Sequence, residues 1–293
     1  MTAALEPLGV AGLGEMGLPI AARLLRAGHT VHGHDVSHLA RNRADSMGVH
    51  VIDDLSRAAS CASTWLVIVP GGAVVDVVSQ LAGSLPAGSL VVVCSSVDAR
   101  VMADVDAELR PAGVSVCDAA LARGVPAARE GSLLLYCGGD AATIERATPV
   151  LSAFARDVVH VGPLGSGQLA KLLNNLLLWS SVAAVTETLR LATRMGLDPD
   201  VVTSALSVGS GRGWVLETWS RPRPMPDLES DLKRGLEVAS QLELDLPLVR
   251  VVQQTMTEVK RRKAASFGGT GAARSMAEFV RATFPSAEPT ESM

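Results

Sequence analysis

The sequence has only four cysteines among its 293 residues, and no two of them have the short spacing of a metal-ligand pair. They are Cys61, Cys94, Cys117 and Cys137, each in or near an apolar run. This distribution argues against a zinc site and a disulfide framework, and it fits the reducing cytoplasm. We expect buried, structural thiols, no metal site and a cytoplasmic protein.

The sequence also lacks an excess of positive charge and long apolar runs. The net charge of -4 gives no general basic field, so nucleic acid is not an expected partner. No run reaches the roughly 20 uninterrupted apolar residues that span a bilayer. The nearest, residues 169–185, contains a lysine and two asparagines, and Glu6 and Pro7 interrupt the N-terminal stretch. We therefore expect neither a membrane partner nor a signal peptide.

The first half of the chain contains regularly spaced apolar segments separated by helical patterns. Strands are predicted at residues 8–11, 30–34, 64–69, 89–94, 114–117, 133–138 and 158–161, and the clearest helices between them at 73–81, 99–109 and 141–154. Such alternation predicts an α/β domain with a parallel sheet and helices on both faces. In such sheets ligands bind beyond the carboxyl ends of the strands.

The first strand runs directly into a glycine-rich turn. Its residues are Gly12, Leu13, Gly14, Glu15, Met16 and Gly17, and apolar residues at helical spacing follow. A G-x-G-x-x-G turn between a strand and a helix is the fingerprint of dinucleotide binding. Its first glycine permits the tight turn, its second lets the backbone approach a pyrophosphate, and its third lets helix and strand pack closely. Residues 12–16 are therefore predicted cofactor contacts.

An acidic residue follows at the place where a ribose contact is expected. Asp35 ends the second strand, about twenty residues after the fingerprint, where a carboxylate accepts hydrogen bonds from ribose hydroxyls and repels a 2′-phosphate. This favours NAD as cofactor. NADP stays possible, because His34, His38, Arg41 and Arg43 lie close in sequence and cations could hold the extra phosphate.

The second half predicts helices and no convincing strand. Helical patterns cover residues 165–195, 201–206, 228–242 and 248–263. The first of these is apolar nearly all round in its first half, so we predict a buried helix. Lys171 and Asn175 lie four residues apart on one face of it, with Asn174 beside them. A lysine with apolar neighbours on every side needs a partner, a cleft or a function, and we predict that it does chemistry.

Together these motifs resemble the β-hydroxyacid dehydrogenase family over almost the whole length of the chain. The turn at residues 12–17 matches the family's G-x-G-x-M-G, and residues 162–175 match its G-x-x-G-x-G-x-x-x-K-x-x-N-N at every fixed position. The resemblance implies a Rossmann-like domain at residues 1–163, joined by a long helix to an all-α substrate and oligomerisation domain at 164–284. It also implies a homodimer or homotetramer. Residues 285–293 are predicted to be a disordered tail.

The resemblance also implies roles for individual residues. Lys171 corresponds to the general acid/base, and Asn175, with Asn174, to substrate-orienting amides. Residues 118–124 resemble the substrate motif D-A-P-V-S-G-G, so the acid group of a small anionic substrate is expected at Ala122, Arg123 and Gly124. Val69, Pro70, Ser96 and Asp231 correspond to further cofactor contacts.

Departures from the family pattern concern the substrate more than the reaction. Ala122 lacks the usual serine hydroxyl, Arg123 replaces a glycine, and Ser230 replaces the lysine before Asp231. A guanidinium can grip a carboxylate, phosphate or sulfonate in bidentate fashion, and a similar arginine is found in the sulfolactaldehyde reductase branch. A dianionic substrate is therefore one alternative, unless Arg123 points to solvent.

Three further alternatives remain. An imine reductase has the same architecture but usually lacks the lysine. A 6-phosphogluconate dehydrogenase has a longer C-terminal half than this chain. A catalytically inactive NAD(P)-binding scaffold would be expected to have lost Lys171 or the glycine fingerprint. Both are intact here.

Overall fold

The structure is a computed structural model that describes residues 5–223, 225, 228–268 and 274–283. It divides into two compact units, Met1–Lys171 and Leu172–Met293. One long helix runs through the boundary between them. The tail predicted at residues 285–293 lies outside the described residues.

The first unit is built on one sheet of eight strands. They are Leu8–Ala11 (β1), Val31–His34 (β2), His50–Val51 (β3), Thr64–Val67 (β4), Leu90–Val93 (β5), Ser115–Ala122 (β6), Leu133–Gly138 (β7) and Ala155–Gly162 (β8). Their order across the sheet is β3-β2-β1-β4-β5-β6-β7-β8, and every neighbouring pair is parallel except β6 and β7. The predicted sheet is confirmed, with a short additional strand, β3, that the sequence did not reveal.

Both faces of this sheet are buried along its central strands. Along β4, Trp65 and Val67 pack into one core cluster, while Leu66 packs into another. Successive side chains point to opposite faces of a strand, so the two clusters lie on opposite sides of the sheet. Burial on both faces explains why the central strands β1, β4 and β5 are nearly continuous apolar runs instead of alternating patterns.

The reversal of β7 departs from the all-parallel sheet that the alternation predicts. Residues 123–132 connect β6 to β7 and include one short helix, Gly124–Glu130. A crossover between parallel strands needs a dozen or more residues. This connection is too short, so β7 returns antiparallel to β6.

Helices flank the sheet and make up the second unit. In the first unit they are Gly17–Arg26 (α1), His38–Asp45 (α2), Leu55–Ala58 (α3), Val74–Ala82 (α4), Val101–Leu109 (α5), Gly124–Glu130 (α6) and Ala141–Ser152 (α7). The long helix is Ser166–Arg194 (α8). Then follow Pro199–Leu206 (α9), Trp214–Glu217 (α10), Leu228–Gln241 (α11), Pro247–Phe267 (α12) and Met276–Thr283 (α13). Among its described residues the second unit has no strand beyond an isolated bridge between Pro222 and Ser275.

The prediction that α8 is buried all round is wrong. Leu172 and Trp179 are buried, but Leu173 is 60% and Leu177 72% exposed. The apolar residues surround the helix, whereas the rest of the chain covers only part of its circumference. By length and composition α8 could also cross a membrane, a property shared by core helices of soluble proteins.

The cysteines follow the expectation in three positions of four. Cys94, Cys117 and Cys137 are buried, and burial raises the pKa of the Cys137 thiol to about 12. Cys61 is exposed, because it ends a short helical turn at the surface before β4. The expectation of a buried thiol is therefore wrong for Cys61.

Candidate active site

The glycine turn after β1 has the steric properties that dinucleotide binding requires. Gly12 has a φ of +99°, and a Cβ there would lie 2.2 Å from the carbonyl oxygen of Ile68. A Cβ at Gly17 would lie 1.8 Å from the carbonyl oxygen of Gly12. Gly14, in contrast, has nothing within 4 Å and is exposed. Two glycines therefore permit the turn and its packing, and the middle one leaves room for a ligand's approach.

This turn borders a groove of about 530 Å³. The start of α1 lines it, together with Gly14, Glu15 and three arginines, Arg26, Arg43 and Arg129. A helix N-terminus and a surplus of guanidinium groups both favour an anionic ligand. The residues present therefore fit the pyrophosphate of a dinucleotide.

Asp35 holds the end of β2 against this turn. Its Oδ2 accepts a hydrogen bond from the backbone N–H of Leu13 at 2.7 Å, and its Oδ1 accepts one from Ser37 at 2.8 Å. A carboxylate has about four lone-pair sites, so each oxygen can accept a further bond from a ribose hydroxyl. Asp35 is thus placed beside the fingerprint, as the sequence predicts for a ribose ligand.

Only one of the four basic residues near Asp35 in sequence lines the groove. Arg41 is buried and donates to the carbonyl oxygen of Asp35 at 2.5 Å and to the ring of His38 at 2.7 Å. It also forms an ion pair with Asp53 at 3.2 Å. His34 is bonded to the carbonyl oxygen of Ile52. Arg43 is the member of the set that faces the groove.

The predicted cofactor contacts Val69, Pro70 and Ser96 lie just past the ends of β4 and β5. The hydroxyl of Ser95 accepts from the Val69 N–H at 2.9 Å and donates to the carbonyl oxygen of Val67 at 3.2 Å. This side chain ties the two strand ends together. Pro70 and Ser96 are exposed at that edge, where open α/β sheets bind ligands.

Asp118 caps the start of α8 from within the sheet. It is fully buried, and its two oxygens accept from the backbone N–H groups of Gly165 at 2.6 Å and Gln168 at 2.9 Å. A Cβ at Gly138 or Gly167 would lie 2.5 or 2.6 Å from these oxygens, so both glycines are needed to admit the carboxylate. Burial raises the pKa of Asp118, against the effect of its N–H donors. The sequence predicted that this strand ends at residue 117, just before Asp118; this is wrong, because β6 continues to Ala122 and Asp118 lies within it. The sequence did not reveal its capping role.

Arg123 has an unusual backbone and an occupied side chain. Its φ of +78° lies in the left-handed region, where glycine is favoured and where the family pattern has glycine. Its Nη1 donates to Asp157 at 2.6 Å and to the carbonyl oxygen of Ser132 at 3.0 Å. The guanidinium is therefore bound within the first unit. Gly124 follows it with a φ of +71°, and Ala122 is buried.

Lys171 is half-buried in α8 and is the last residue of the first unit.

In the second unit the predicted residues Asn174, Asn175 and Asp231 form one cluster. Asn175 is buried, and its Nδ2 donates to Oδ2 of Asp231 at 2.9 Å while its Oδ1 accepts from Asn174 at 3.1 Å. Trp179 Nε1 donates to the same Asp231 oxygen at 3.1 Å. Asp231, predicted as a cofactor contact, thus binds a predicted substrate amide.

Comparisons with known proteins agree with this geometry. The family model described as the NAD binding domain of 6-phosphogluconate dehydrogenase matches residues 7–162. The model described as NAD-binding of NADP-dependent 3-hydroxyisobutyrate dehydrogenase matches residues 165–276. Together they cover nearly all of the chain.

Individual relatives give the same result. The chain is 33% identical to a 3-hydroxyisobutyrate dehydrogenase of Pseudomonas aeruginosa, over 73% of this chain and 74% of that one. It is 30% identical to a 2-(hydroxymethyl)glutarate dehydrogenase of Eubacterium barkeri, over 84% and 87%. The solved structure of a Mycobacterium tuberculosis 3-hydroxyisobutyrate dehydrogenase with L-serine has the same fold, with a TM-score of 0.82 at 24% identity over 94% and 98% of the two chains. The chain therefore belongs to the β-hydroxyacid dehydrogenase family and is an NAD(P)-dependent oxidoreductase.

Proposed function

We propose that the protein catalyses reversible hydride transfer between NAD(P) and a small β-hydroxy acid or the corresponding semialdehyde acid, with Lys171 as general acid/base. One observation carries the proposal most: α8, which bears Lys171, is anchored at its start by the buried carboxylate of Asp118. General acid/base catalysis requires a group held within hydrogen-bond reach of the proton that it transfers. A lysine on a fixed helix meets that requirement better than one on a loop.

The dinucleotide would be held by residues of the first unit. These are the turn residues Gly12, Leu13, Gly14, Glu15 and Met16, the ribose ligand Asp35, and the strand-end residues Val69, Pro70 and Ser96. When bound, the nicotinamide supplies the hydride acceptor or donor. Because Asp35 is placed for ribose hydroxyls and Arg41 is occupied elsewhere, we propose NAD as the preferred form.

Lys171 would move the proton of the substrate oxygen. In the oxidative direction its neutral amine would take the hydroxyl proton, and in the reductive direction its ammonium would return it to the carbonyl oxygen. Asn175 and Asn174 would orient the substrate, and Asp231 would fix the Asn175 amide. This assignment makes Asp231 a positioning residue.

The acid group of the substrate would be bound by the loop after β6. The backbone turns sharply there, since Arg123 and Gly124 both have a left-handed conformation, and the N–H groups of Ala122, Arg123 and Gly124 would face the acid group. The guanidinium of Arg123 is already ion-paired with Asp157 through Nη1, which favours a monoanionic substrate over the dianionic, sulfolactaldehyde-type alternative. An imine reductase or an inactive scaffold would leave Lys171 without a role.

We also propose that the protein is a cytoplasmic homodimer or homotetramer. In the second unit Leu177, Leu191, Val201 and Val208 are between 63% and 85% exposed. Exposed apolar residues mark an interaction surface where they form one patch, and we propose that a second copy of the chain covers these residues. Light scattering without detergent should give two or four chains per particle. A monodisperse monomer would contradict this assignment.

The central experiment is an activity panel. The purified protein would be given NADH or NADPH with small semialdehyde acids, sulfonated and dianionic aldehydes, and cyclic imines, and the absorbance of the reduced cofactor followed. The proposal predicts turnover with monoanionic semialdehyde acids and the reverse reaction with the matching hydroxy acids. Turnover with imines alone, or with no substrate of the panel, would contradict it.

A further inference from the structure

Gln168 is a buried polar residue in the first turn of α8 whose side chain joins that helix to the sheet. It is 5% exposed. Its Oε1 accepts from the backbone N–H of Val97 at 3.1 Å, and its Nε2 donates to the carbonyl oxygen of Ser95 at 2.9 Å. Both ends of the amide are therefore used, and both partners flank Ser96.

The pairing has a consequence for the backbone of Ser96. The Gln168 amide accepts from the N–H of Val97 and donates to the carbonyl of Ser95, two residues earlier. It thereby replaces the hydrogen bonds that a neighbouring strand would make. Ser96 lies past the end of β5, outside the hydrogen-bonded part of the sheet, and Gln168 holds its backbone in place instead. The carbonyl oxygen of Ser96 also lies 2.5 Å from the position of a Cβ on Gly71, so this segment has little freedom to shift toward Gly71.

Two further features connect Gln168 to the first turns of α8, where Lys171 lies. Its backbone N–H donates to Asp118 at 2.9 Å, and it precedes Lys171 by three residues, one helical turn. Ser95 in turn accepts from the N–H of Val69. A continuous chain of short bonds thus runs from Val69, through Ser95 and Gln168, to the turn that bears Lys171.

We propose that Gln168 is a positioning residue, which fixes the distance between the cofactor contact Ser96 and the general acid/base Lys171. The inference rests on the proposed function, since it assigns these two residues to cofactor and proton transfer. Gln168 itself touches neither reacting group. Its effect is geometric: a misplacement of about 1 Å in a catalytic group can cost roughly 10²-fold in rate.

Two variants of Gln168 test this role. Gln168→Met keeps size and burial but removes both hydrogen bonds, so kcat per folded enzyme should fall about 10- to 100-fold. Gln168→Glu keeps an acceptor for the Val97 N–H but places an ionised carboxylate oxygen against the carbonyl oxygen of Ser95, which repels it. When protonated, that side chain can donate again, so its activity relative to wild type should recover as the pH is lowered. Gln80→Met, on the exposed face of α4, is the matched control and should have wild-type kcat.

Amide hydrogen exchange gives a readout that does not depend on turnover. The Val97 N–H should exchange faster in Gln168→Met, with core amides of β5 unchanged. If wild type turns over no substrate of the panel, the proposed function fails. The exchange of the Val97 N–H still reports whether Gln168 holds this segment. If wild type is active and folded Gln168→Met keeps kcat within about twofold (about 0.4 kcal/mol), the inference is overturned. Should Gln168→Met fail to fold, a Gln168→Glu enzyme without acid recovery overturns it instead.

Discussion

Asn175 and Asp231 form a partly buried pair in which the asparagine is the donor: its Nδ2 lies 2.9 Å from Oδ2 of the aspartate. An ionised aspartate accepts hydrogen bonds but donates none, so the pair fixes which end of the Asn175 amide points to Asp231. The opposite end, Oδ1, accepts from Asn174. The orientation of a predicted substrate-binding amide is therefore set by a residue that the sequence assigned to the cofactor.

The first prediction follows from this pair. Asp231→Asn offers both a donor and an acceptor, so the Asn175 amide loses its fixed orientation. We expect the kcat/KM for the hydroxy acid to fall about 10-fold or more, the loss of a hydrogen bond to a charged group being worth roughly 1.5–3 kcal/mol. The KM for the dinucleotide should stay near its wild-type value. If only the KM for the dinucleotide rises in this variant, Asp231 is a cofactor contact and not a positioning residue.

The second prediction concerns cofactor choice. Asp35→Ala removes the proposed ribose ligand and the charge that repels a 2′-phosphate, so the ratio of NADH to NADPH efficiency should fall. Arg43→Ala, in the groove beside the glycine turn, should lower the efficiency with NADPH more than that with NADH. Steady-state kinetics with both cofactors measure the two ratios. An unchanged ratio in Asp35→Ala would remove its ribose role.

The third prediction concerns pH and a lysine outside the proposed site. Lys263 is 3% exposed and donates to the carbonyl oxygen of Arg223 at 2.9 Å. Burial, together with the charge of Arg223, lowers the pKa of Lys263 from 10.5 to about 8. The folded protein then binds fewer protons than the unfolded chain between about pH 8 and 10.5, so the folded state gains stability as the pH rises through this window.

Urea unfolding of wild type and Lys263→Met at several pH values from 7 to 10 measures this effect. The free energy of unfolding of wild type should rise relative to that of the variant across the window. Lys233→Met, with a side chain 73% exposed, is the control and should run parallel to wild type. A constant difference between wild type and Lys263→Met would show that the lysine titrates normally.

The fourth prediction concerns Arg123. Arg123→Gly relieves a left-handed backbone, worth about 1–2 kcal/mol, and loses a partly exposed ion pair worth about 0.2–1 kcal/mol. Replacing it with the most flexible residue also costs about 0.5–1 kcal/mol. These terms nearly cancel, so stability should change by less than about 1 kcal/mol. Monoanionic substrates should keep their KM, because the guanidinium is bound to Asp157. A selective loss of activity toward dianionic substrates would instead identify Arg123 as their ligand.

Local sequence patterns predicted the features that depend on short segments. The strands, the glycine turn and the long helix each have their signal within a few residues of one another. The contacts that organise the candidate site do not: Asp118 meets Gly165 across 47 positions, and Gln168 meets Ser95 across 73. A buried carboxylate and a buried amide have no period or spacing that would name their partners.

The errors have the same origin. The all-round apolar pattern of α8 predicted burial, but which sides are covered depends on tertiary packing, and Leu177 is exposed. Cys61 comes shortly before the apolar strand β4 and is nevertheless at the surface. The reversal of β7 depends on the length of its connection, which the strand pattern does not contain.

The most direct test of the central claim is the turnover of Lys171→Met with the best hydroxy acid found in the panel. General acid/base catalysis contributes typically 10²–10⁴-fold, so kcat should fall by about that factor. The dinucleotide should bind to the variant with wild-type affinity, and Lys233→Met should be fully active. A folded Lys171→Met enzyme with kcat near that of wild type would contradict the account.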